Sequence, residues 1–371
     1  MDYAKAFDKV DHSILIKKLH LLGIKGNLLA WIPSFLTHRK QKVSINGVHS
    51  IPSEVLSGVP QGTVLGPVLF VVYINDLLED ISSNGFMFAD DTKIFRQISS
   101  VNDSRHLQSD ITKLENWSNQ WLLQFHPDKC HILTLGKFEN IKHTHRYTNC
   151  NKEIEHVSEE KDLGVIIDSD LSFDEHISKK VRIANAIVGL IRRTFSYLDG
   201  KMFVKLYKAF VRPHLEYAQV IWSPHLKRHI DIVENVQIRA TKLVDGLQNL
   251  DYRERLQRLN LQTLAFRRLR GDIIEMHKHF HRYDKKALPD SFKPRQRTSR
   301  KHDFQIHELE SKDGVRGTRN TFFYNRIARV WNQLPADTVK QQNMNEFKKM
   351  LDSSLHNHPL KYDHKAITSD S

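Results

Sequence analysis

Hydrophobic and polar positions change period several times along the chain, and the changes mark its elements. From Asp11 to Leu22 the residues Ile14, Leu15, Leu19 and Leu22 recur at helical spacing, and Leu28 to Leu36 reads the same way. Gln41-Lys42-Val43-Ser44-Ile45 alternates with period two and runs into Asn46-Gly47. That pair favours a tight hairpin, because both central residues of the turn take positive φ. Val64 to Leu78 is apolar on nearly every side and predicts a buried helix, entered from a glycine-rich loop. Phe86-Met87-Phe88 and Lys93-Ile94-Phe95 predict two short strands meeting at Ala89-Asp90-Asp91-Thr92. Phe86, Phe88, Ile94 and Phe95 are expected to hold that turn against a core. Leu107 to Leu122 predicts a helix, and Cys130 to Leu135 and Asp162 to Ile167 predict strands.

Beyond Asp174 the helical period takes over. Ile177, Val181, Ala184, Val188 and Ile191 form one stripe, with Lys179, Lys180, Arg182, Arg192 and Arg193 around it. Helical segments follow at Met202 to Val211, Ile230 to Val244, Leu264 to His277, Thr321 to Trp331 and Glu346 to Leu355. Residues 281–303 are basic and contain Lys293-Pro294-Arg295, the composition of a linker or arm. The pattern is α+β: mixed up to about residue 170 and mostly helical beyond.

Charge sharpens this division. Of the 371 residues, 1–175 hold 18 Lys and Arg against 23 Asp and Glu, whereas 176–371 hold 38 against 20. An acidic half joined to a basic half suits a site for cations beside a surface for polyanions, although solvated charge for solubility would give the same totals. The longest apolar run, Val64 to Ile74, is about 11 residues where about 20 would span a bilayer, so no membrane segment is expected. Cys130 and Cys150 are the only cysteines, which excludes a disulfide scaffold and a cysteine-based zinc site and fits a reducing compartment.

The candidate chemistry lies in the acidic half. Two adjacent carboxylates at a turn repel unless a cation lies between them, and hard oxygen ligands suit Mg²⁺ or Mn²⁺. Taken alone, Asp90-Asp91 reads first as a favourable turn dipeptide rather than a cation site. Two further segments accompany it. Asp2-Tyr3-Ala4-Lys5-Ala6-Phe7-Asp8-Lys9-Val10 is a second acidic cluster. Ser57-Gly58-Val59-Pro60-Gln61-Gly62-Thr63-Val64-Leu65-Gly66-Pro67 is a loop whose glycines permit close backbone approach.

Together and in this order the three segments resemble the palm motifs of reverse transcriptases, above all those of non-LTR (LINE-type, jockey-like) retrotransposons. Tyr73-Ile74-Asn75-Asp76-Leu77, Trp117 with Trp121, Lys129-Cys130, Leu163-Gly164-Val165, Arg212-Pro213, Glu216-Tyr217 and Trp331-Asn332-Gln333-Leu334-Pro335 extend the likeness over essentially the whole chain. The resemblance implies an RNA-directed DNA polymerase that adds dNTPs to a primer 3′-hydroxyl on an RNA template. It implies two Mg²⁺ (or Mn²⁺) ions on Asp2, Asp90 and Asp91, and Phe7 beneath the incoming sugar, where its ring leaves no room for a 2′-hydroxyl. Gln61 and Gly62 would line the nucleotide, and Lys129 would protonate the departing pyrophosphate; from the residues alone, Phe7 reads equally as a core aromatic at a helix start and Lys129 as an exposed loop lysine. His126 stands where the family usually has Asn. Asp8, Asp11 and Asp76 are read as structural. Lys179, Lys180, Arg192 and Arg193 would track duplex phosphates.

The implied architecture is a partial right hand: a palm at 1–170 with the fingers largely missing, a helical thumb-like region at 171–260 and a basic C-terminal region at 261–371. Family behaviour places such a protein in the nucleus, the cytoplasm or both. Only Met1 precedes Asp2, so the chain reads as truncated at its N-terminus. A one-residue strand is not expected to anchor in a sheet, where about five residues are typical. Little primer extension by these residues alone is therefore expected, and the alternative reading is an inactive remnant that at most binds nucleic acid.

Overall fold

The computed structural model describes residues 1–136, 145–281, 304–307 and 321–366. The expected linker at 281–303 lies outside them except for His281. The chain forms two compact units, Met1–Glu160 and Lys161–Ser371.

The first unit mixes helices and short strands around one core. Helix α1 (His12–Leu21) starts where the Asp11 carboxylate accepts the Ile14 amide at 2.9 Å, an ordinary N-cap. Helix α2 is Gly26–Leu36. Strands β1 (Lys40–Gln41) and β4 (Ser53–Glu54) pair, and β2 (Ser44–Ile45) pairs with β3 (Val48–His49). The β2–β3 turn has Asn46 at φ 49° and Gly47 at φ 83°, as the Asn-Gly signal predicts. Helix α3 (Leu65–Ile74) is buried on one side only: Leu69, Phe70, Tyr73 and Ile74 face the core, while Val68 and Val71 are half exposed. The expectation of a helix buried all round is thus corrected, because a single layer of core covers it.

Strands β5 (Asn84–Phe88) and β6 (Asp91–Phe95) form an antiparallel hairpin with Phe88 opposite Asp91. Its core face differs from expectation. A pleat sends alternate side chains to opposite faces, and the face that packs inward carries Met87, Thr92 and Ile94. Phe86, Phe88 and Phe95 lie on the other face and are exposed. Periodicity marks the two faces of a strand but not which one meets the core.

Helix α4 (Val101–Gln120) begins earlier than expected, at a capping box of Ser100 and Asp103. It turns Ile111 and Leu114 into the core. Asp110 lies on this buried face and accepts from the Ser82 amide (3.0 Å) and hydroxyl (2.9 Å) and from the Ser83 amide (2.8 Å) and hydroxyl (2.7 Å). Arg96, just past β6, binds Ser83 Oγ at 3.0 Å and lies 3.7 Å from Asp110. One buried carboxylate therefore ties both ends of the hairpin to α4. Lys18 of α1 makes a second lock: its Nζ is 2.6 Å from Asp76 and 3.9 Å from the Trp121 ring centroid. Asp76 is thus structural. Strand His131–Leu133 runs parallel to Glu155–Val157.

The second unit is mainly helical. Helix Asp174–Thr194 buries the expected stripe of Ile177, Val181, Ala184, Val188 and Ile191. It packs with Lys227–Thr241 and with a π-helical turn, Tyr207–Val211, that continues helix Gly200–Leu206. Glu234 is fully buried and accepts the Leu264 amide at 3.0 Å and the Ala265 amide at 3.3 Å. It thereby supplies the missing partners at the start of helix Leu264–His281. That helix, Phe323–Gln333 and Met344–Ser354 enclose a further core of Phe266, Ile273, Met276, Trp331 and Phe347. Trp331 donates to Phe304 O at 2.7 Å, and Asn332 bonds Ile306 in both directions at 3.0 Å. No helix among the described residues is long and apolar enough to cross a membrane.

Candidate active site

Asp2 is anchored more firmly than its position in the chain suggests. The Met1 ammonium donates to Thr92 O at 2.6 Å, and the Thr92 amide donates to Met1 O at 3.2 Å. Two residues that exchange both bonds form an antiparallel hydrogen-bonded pair. On its other edge the segment receives the His126 amide on Asp2 O at 2.9 Å and gives the Ala4 amide to Gln124 O at 3.0 Å. Tyr3 bridges Phe125 and stacks on its ring at 4.5 Å. The objection that one preceding residue cannot hold Asp2 in a sheet is therefore corrected. Anchoring comes from bonds on both edges, which segment length does not count.

This pairing has a chemical consequence. With Met1 bonded to Thr92, an antiparallel register continued by one step would put Asp2 opposite Asp91. Met1, Tyr3 and Thr92 point to the core, so Asp2 and Asp91 point away from it. Asp90 occupies the hairpin turn, half-buried, after Ala89 at φ 51°. A left-handed alanine costs about 1–2 kcal/mol and persists only where its surroundings fix it.

Lys129 ends a 3-10 turn, Pro127–Lys129, and its Nζ is 3.3 Å from Asp2 Oδ2. It is partnered rather than a free loop lysine. His126, where the family usually has Asn, contributes backbone to this turn: its amide holds Asp2 and its carbonyl accepts the Lys129 amide at 3.0 Å. Among the described residues no three His, Cys, Asp or Glu side chains converge closely enough to hold a metal ion. The donor chemistry nonetheless suits a hard divalent cation, since all the acidic groups here are carboxylates and Asp2 already faces a positive charge.

The glycine-rich loop packs on the Asp2 segment. Gly58 has φ +85°, and a Cβ there would lie 2.7 Å from Asp8 Cα and from Phe7 O. Its amide donates to Val10 O and the Val59 amide to Phe7 O, both at 2.8 Å. Arg39 Nη2 and His12 Nε2 hold the Gly58 carbonyl at 2.8 and 2.9 Å. Thr63 Oγ1 donates to Pro60 O at 2.9 Å and accepts the Gly66 amide at 3.0 Å. Gln61 donates from Nε2 to Asp8 Oδ1 at 3.2 Å, and Gly62 has φ +81° with open space around it. Phe7 is half-buried and stacks on Phe70 at 4.4 Å. Asp2, Asp90, Asp91, Lys129, Phe7, Gln61 and Gly62 therefore all lie in the first unit, on segments that bond directly to one another or, for Asp90 and Asp91, through Thr92.

Lys179, Lys180, Arg192 and Arg193 share one helix of the second unit. Lys179, Arg192 and Arg193 are exposed. Lys180 differs: its Nζ is 5.8 Å from the Tyr217 ring centroid, and burial, with help from Lys161 and Lys179, lowers its pKa. Sequence reasoning missed Asp110, although a carboxylate on the apolar stripe of α4 was a usable signal.

Residues 1–167 match the family described as reverse transcriptase (RNA-dependent DNA polymerase). Over 261 residues the chain is 29% identical to the RNA-directed DNA polymerase from mobile element jockey of Drosophila funebris, covering 66% of this chain and 28% of that protein. It is 26% identical over 266 residues to the jockey protein of Drosophila melanogaster, with the same two coverages. It is 28% identical over 263 residues to the probable RNA-directed DNA polymerase from transposon BS of Drosophila melanogaster, again with 66% and 28% covered. The chain thus spans under a third of the length of these relatives.

Proposed function

With residues 1–167 belonging to the reverse transcriptase family, we propose that the first unit carries the catalytic site of a non-LTR retrotransposon RNA-directed DNA polymerase. The observation that supports this reading is the exchange of backbone hydrogen bonds between Met1 and Thr92, which ties the Asp2 segment to the strand that begins at Asp91. Asp2 and Asp90 would hold two Mg²⁺ or Mn²⁺ ions, with Asp91 completing the acidic set. Bound there, the ions would lower the pKa of the primer hydroxyl and offset charge on the transferred phosphate.

The chain's own residues do the rest. Phe7, backed by the buried Phe70 ring, presents a rigid face against which a 2′-hydroxyl would clash. Gln61 is steered by Asp8 and Gly62 keeps its backbone open, so both suit the nucleotide edge. Lys129 holds its ammonium at Asp2, within reach of a departing phosphate that needs a proton. Lys179, Lys180, Arg192 and Arg193 would bind the phosphates of the primer–template duplex without regard to sequence.

The test is template-dependent incorporation of dTMP on poly(rA)·oligo(dT) in Mg²⁺ or Mn²⁺, beside Asp90→Ala. Incorporation that vanishes in the variant supports the polymerase reading, and incorporation that survives the substitution overturns it. The strongly basic second half supports a second reading. A chain that binds the duplex in a salt-sensitive way but never extends it is a nucleic-acid-binding remnant.

A further inference from the structure

Cys130 and Cys150, the only cysteines of the chain, meet at one side chain in the first unit. Asn149, itself 1% exposed, gives its Nδ2 to Cys130 Sγ at 3.8 Å and takes the Cys150 thiol on Oδ1 at 3.6 Å. A single carboxamide therefore bridges the two sulfurs. Their surroundings are opposite. Cys130 is buried, whereas Cys150 is exposed at the tip of a hairpin whose strands, Thr148–Asn149 and Lys152–Glu153, are two residues each. That turn sets Cys150 at φ 51° and Asn151 at φ 58°. Asn, Asp and Gly take such positions readily and cysteine does not, so the thiol is presented there against the preference of the backbone. On its other side Cys130 lies under the candidate active site. Its thiol donates to His126 O at 3.4 Å and lies 4.0 Å from Asp2 O, and the neighbouring Lys129 pairs with Asp2.

We propose that Cys130 and Cys150 are a reversible oxidation site, closing to a disulfide that clamps the segment carrying Asp2. The oxidant is a hydroperoxide. The exposed Cys150 sulfur attacks its terminal oxygen, the O–O bond breaks, and the thiol proton goes to the departing oxygen, which leaves as water or an alcohol. Cys150 is then a sulfenic acid. Cys130 attacks that sulfur: the S–S bond forms, the S–O bond breaks, and the hydroxide leaves as water with the Cys130 proton. The two sulfurs together lose two electrons and the peroxide gains them. Bridging requires Cα atoms within about 7 Å, so the Asn149 amide rotates out and the hairpin tip bends inward. Gln108 holds the hairpin at Thr148, by bonds of 2.8 and 2.9 Å, and leaves the tip to move. Burial, with Glu115 and Cys130 nearby, raises the Cys150 thiol above its ordinary value, so closure answers to sustained oxidation and not to a trace of peroxide. In a reducing compartment a transient, sensing bond is the kind that fits. The clamp on Asp2 rests on the polymerase reading of that site; the disulfide itself does not.

Hydrogen peroxide added to the whole chain, followed by peptide mapping without reductant, reads the closure. Wild type should give a Cys130–Cys150 cross-linked peptide that dithiothreitol removes. Cys150→Ser should give no cross-link and leave Cys130 reduced, because that thiol is buried. Cys130→Ala should stop at the Cys150 sulfenic acid, which dimedone traps. A Cys150–Cys150 link between two chains overturns the proposal, as does Cys150 running on to sulfinic acid in wild type while Cys130 stays reduced. A cross-link that forms only in urea overturns it as well, since the folded chain would then not bring the sulfurs together. Calorimetry with Mn²⁺ reads the clamp. Oxidised wild type should bind Mn²⁺ at least roughly threefold more weakly than reduced wild type, and Cys150→Ser should bind equally before and after peroxide. Equal Mn²⁺ affinity in the two states of wild type overturns the clamp. A reduced wild type that binds no Mn²⁺ defeats the polymerase reading and the clamp with it, and the peptide map still decides the oxidation site.

Discussion

Replacing Asp110 by alanine should loosen the hairpin that carries Asp90 and Asp91, and the size of the effect follows from the contacts. The Asp110 side chain is fully buried and accepts four hydrogen bonds of 2.7–3.0 Å from Ser82 and Ser83. Lys113 at 3.2 Å and Arg96 at 3.7 Å complete its surroundings. Each hydrogen bond to a charged group contributes about 1.5–3 kcal/mol, but shared partners make the sum far from additive. Removing one member of a buried charged network costs about 3–5 kcal/mol, and this is the value expected for Asp110→Ala. Asp110→Asn keeps one acceptor and turns an amide toward the donors, so about 2 kcal/mol is expected. The assay is urea denaturation, fitted with a separate transition for each unit. Burial alone would raise the Asp110 carboxyl, but the Ser83 and Ser82 hydrogen bonds outweigh it and hold the group well below its ordinary 3.8. A depressed folded pKa stabilises above the unfolded value and is lost as pH falls through the folded one. The difference between wild type and Asp110→Ala should therefore be full at neutral pH and shrink only below about pH 4. A loss under about 1 kcal/mol at neutral pH, or one that grows on acidification, would refute the reasoning.

Other expectations concern the loop, the lysine and the basic helix. Gly58→Ala should cost about 3 kcal/mol or more, since its Cβ would strike the Asp8 backbone at positive φ, whereas Gly62→Ala, strained but unobstructed, should cost about 1 kcal/mol; denaturation midpoints decide between them. Lys129→Ala frees Asp2 from a partly exposed ion pair and should tighten Mn²⁺ binding about 2- to 5-fold by calorimetry, with unchanged or weaker binding counting against the pairing. Arg192→Ala with Arg193→Ala should reduce the salt slope of duplex binding by about 1–2, because both residues are exposed cations at the end of one helix. An unchanged slope would remove them from the interface.

Much of this arrangement was legible in the residues, for identifiable reasons. The stripe from Ile177 to Ile191, the Asp11 cap and the Asn46-Gly47 turn are local, set by helical period, a side-chain acceptor and positive φ. The Asp90-Asp91 turn was readable because apolar strands flank it. The outward face of Phe86, Phe88 and Phe95 was not readable, since alternation leaves open which face finds a partner. Nor was the anchoring of Asp2, which depends on Thr92 and His126, about 90 and 124 positions away. Asp110 looked like one more polar residue of α4, and only its position between Leu107, Ile111 and Leu114 hinted at burial. Long-range backbone pairing and buried polar ties leave little trace in a local pattern.

The central claim is that Asp2, Asp90 and Asp91 together make a divalent-cation site. Calorimetric titration of the purified chain with Mn²⁺, beside Asp2→Asn and Asp90→Ala, tests it most directly. Wild type should bind Mn²⁺, and each variant should bind at least roughly tenfold more weakly, as the loss of a carboxylate ligand requires. Equal Mn²⁺ affinity in all three proteins, or none in wild type, would contradict it.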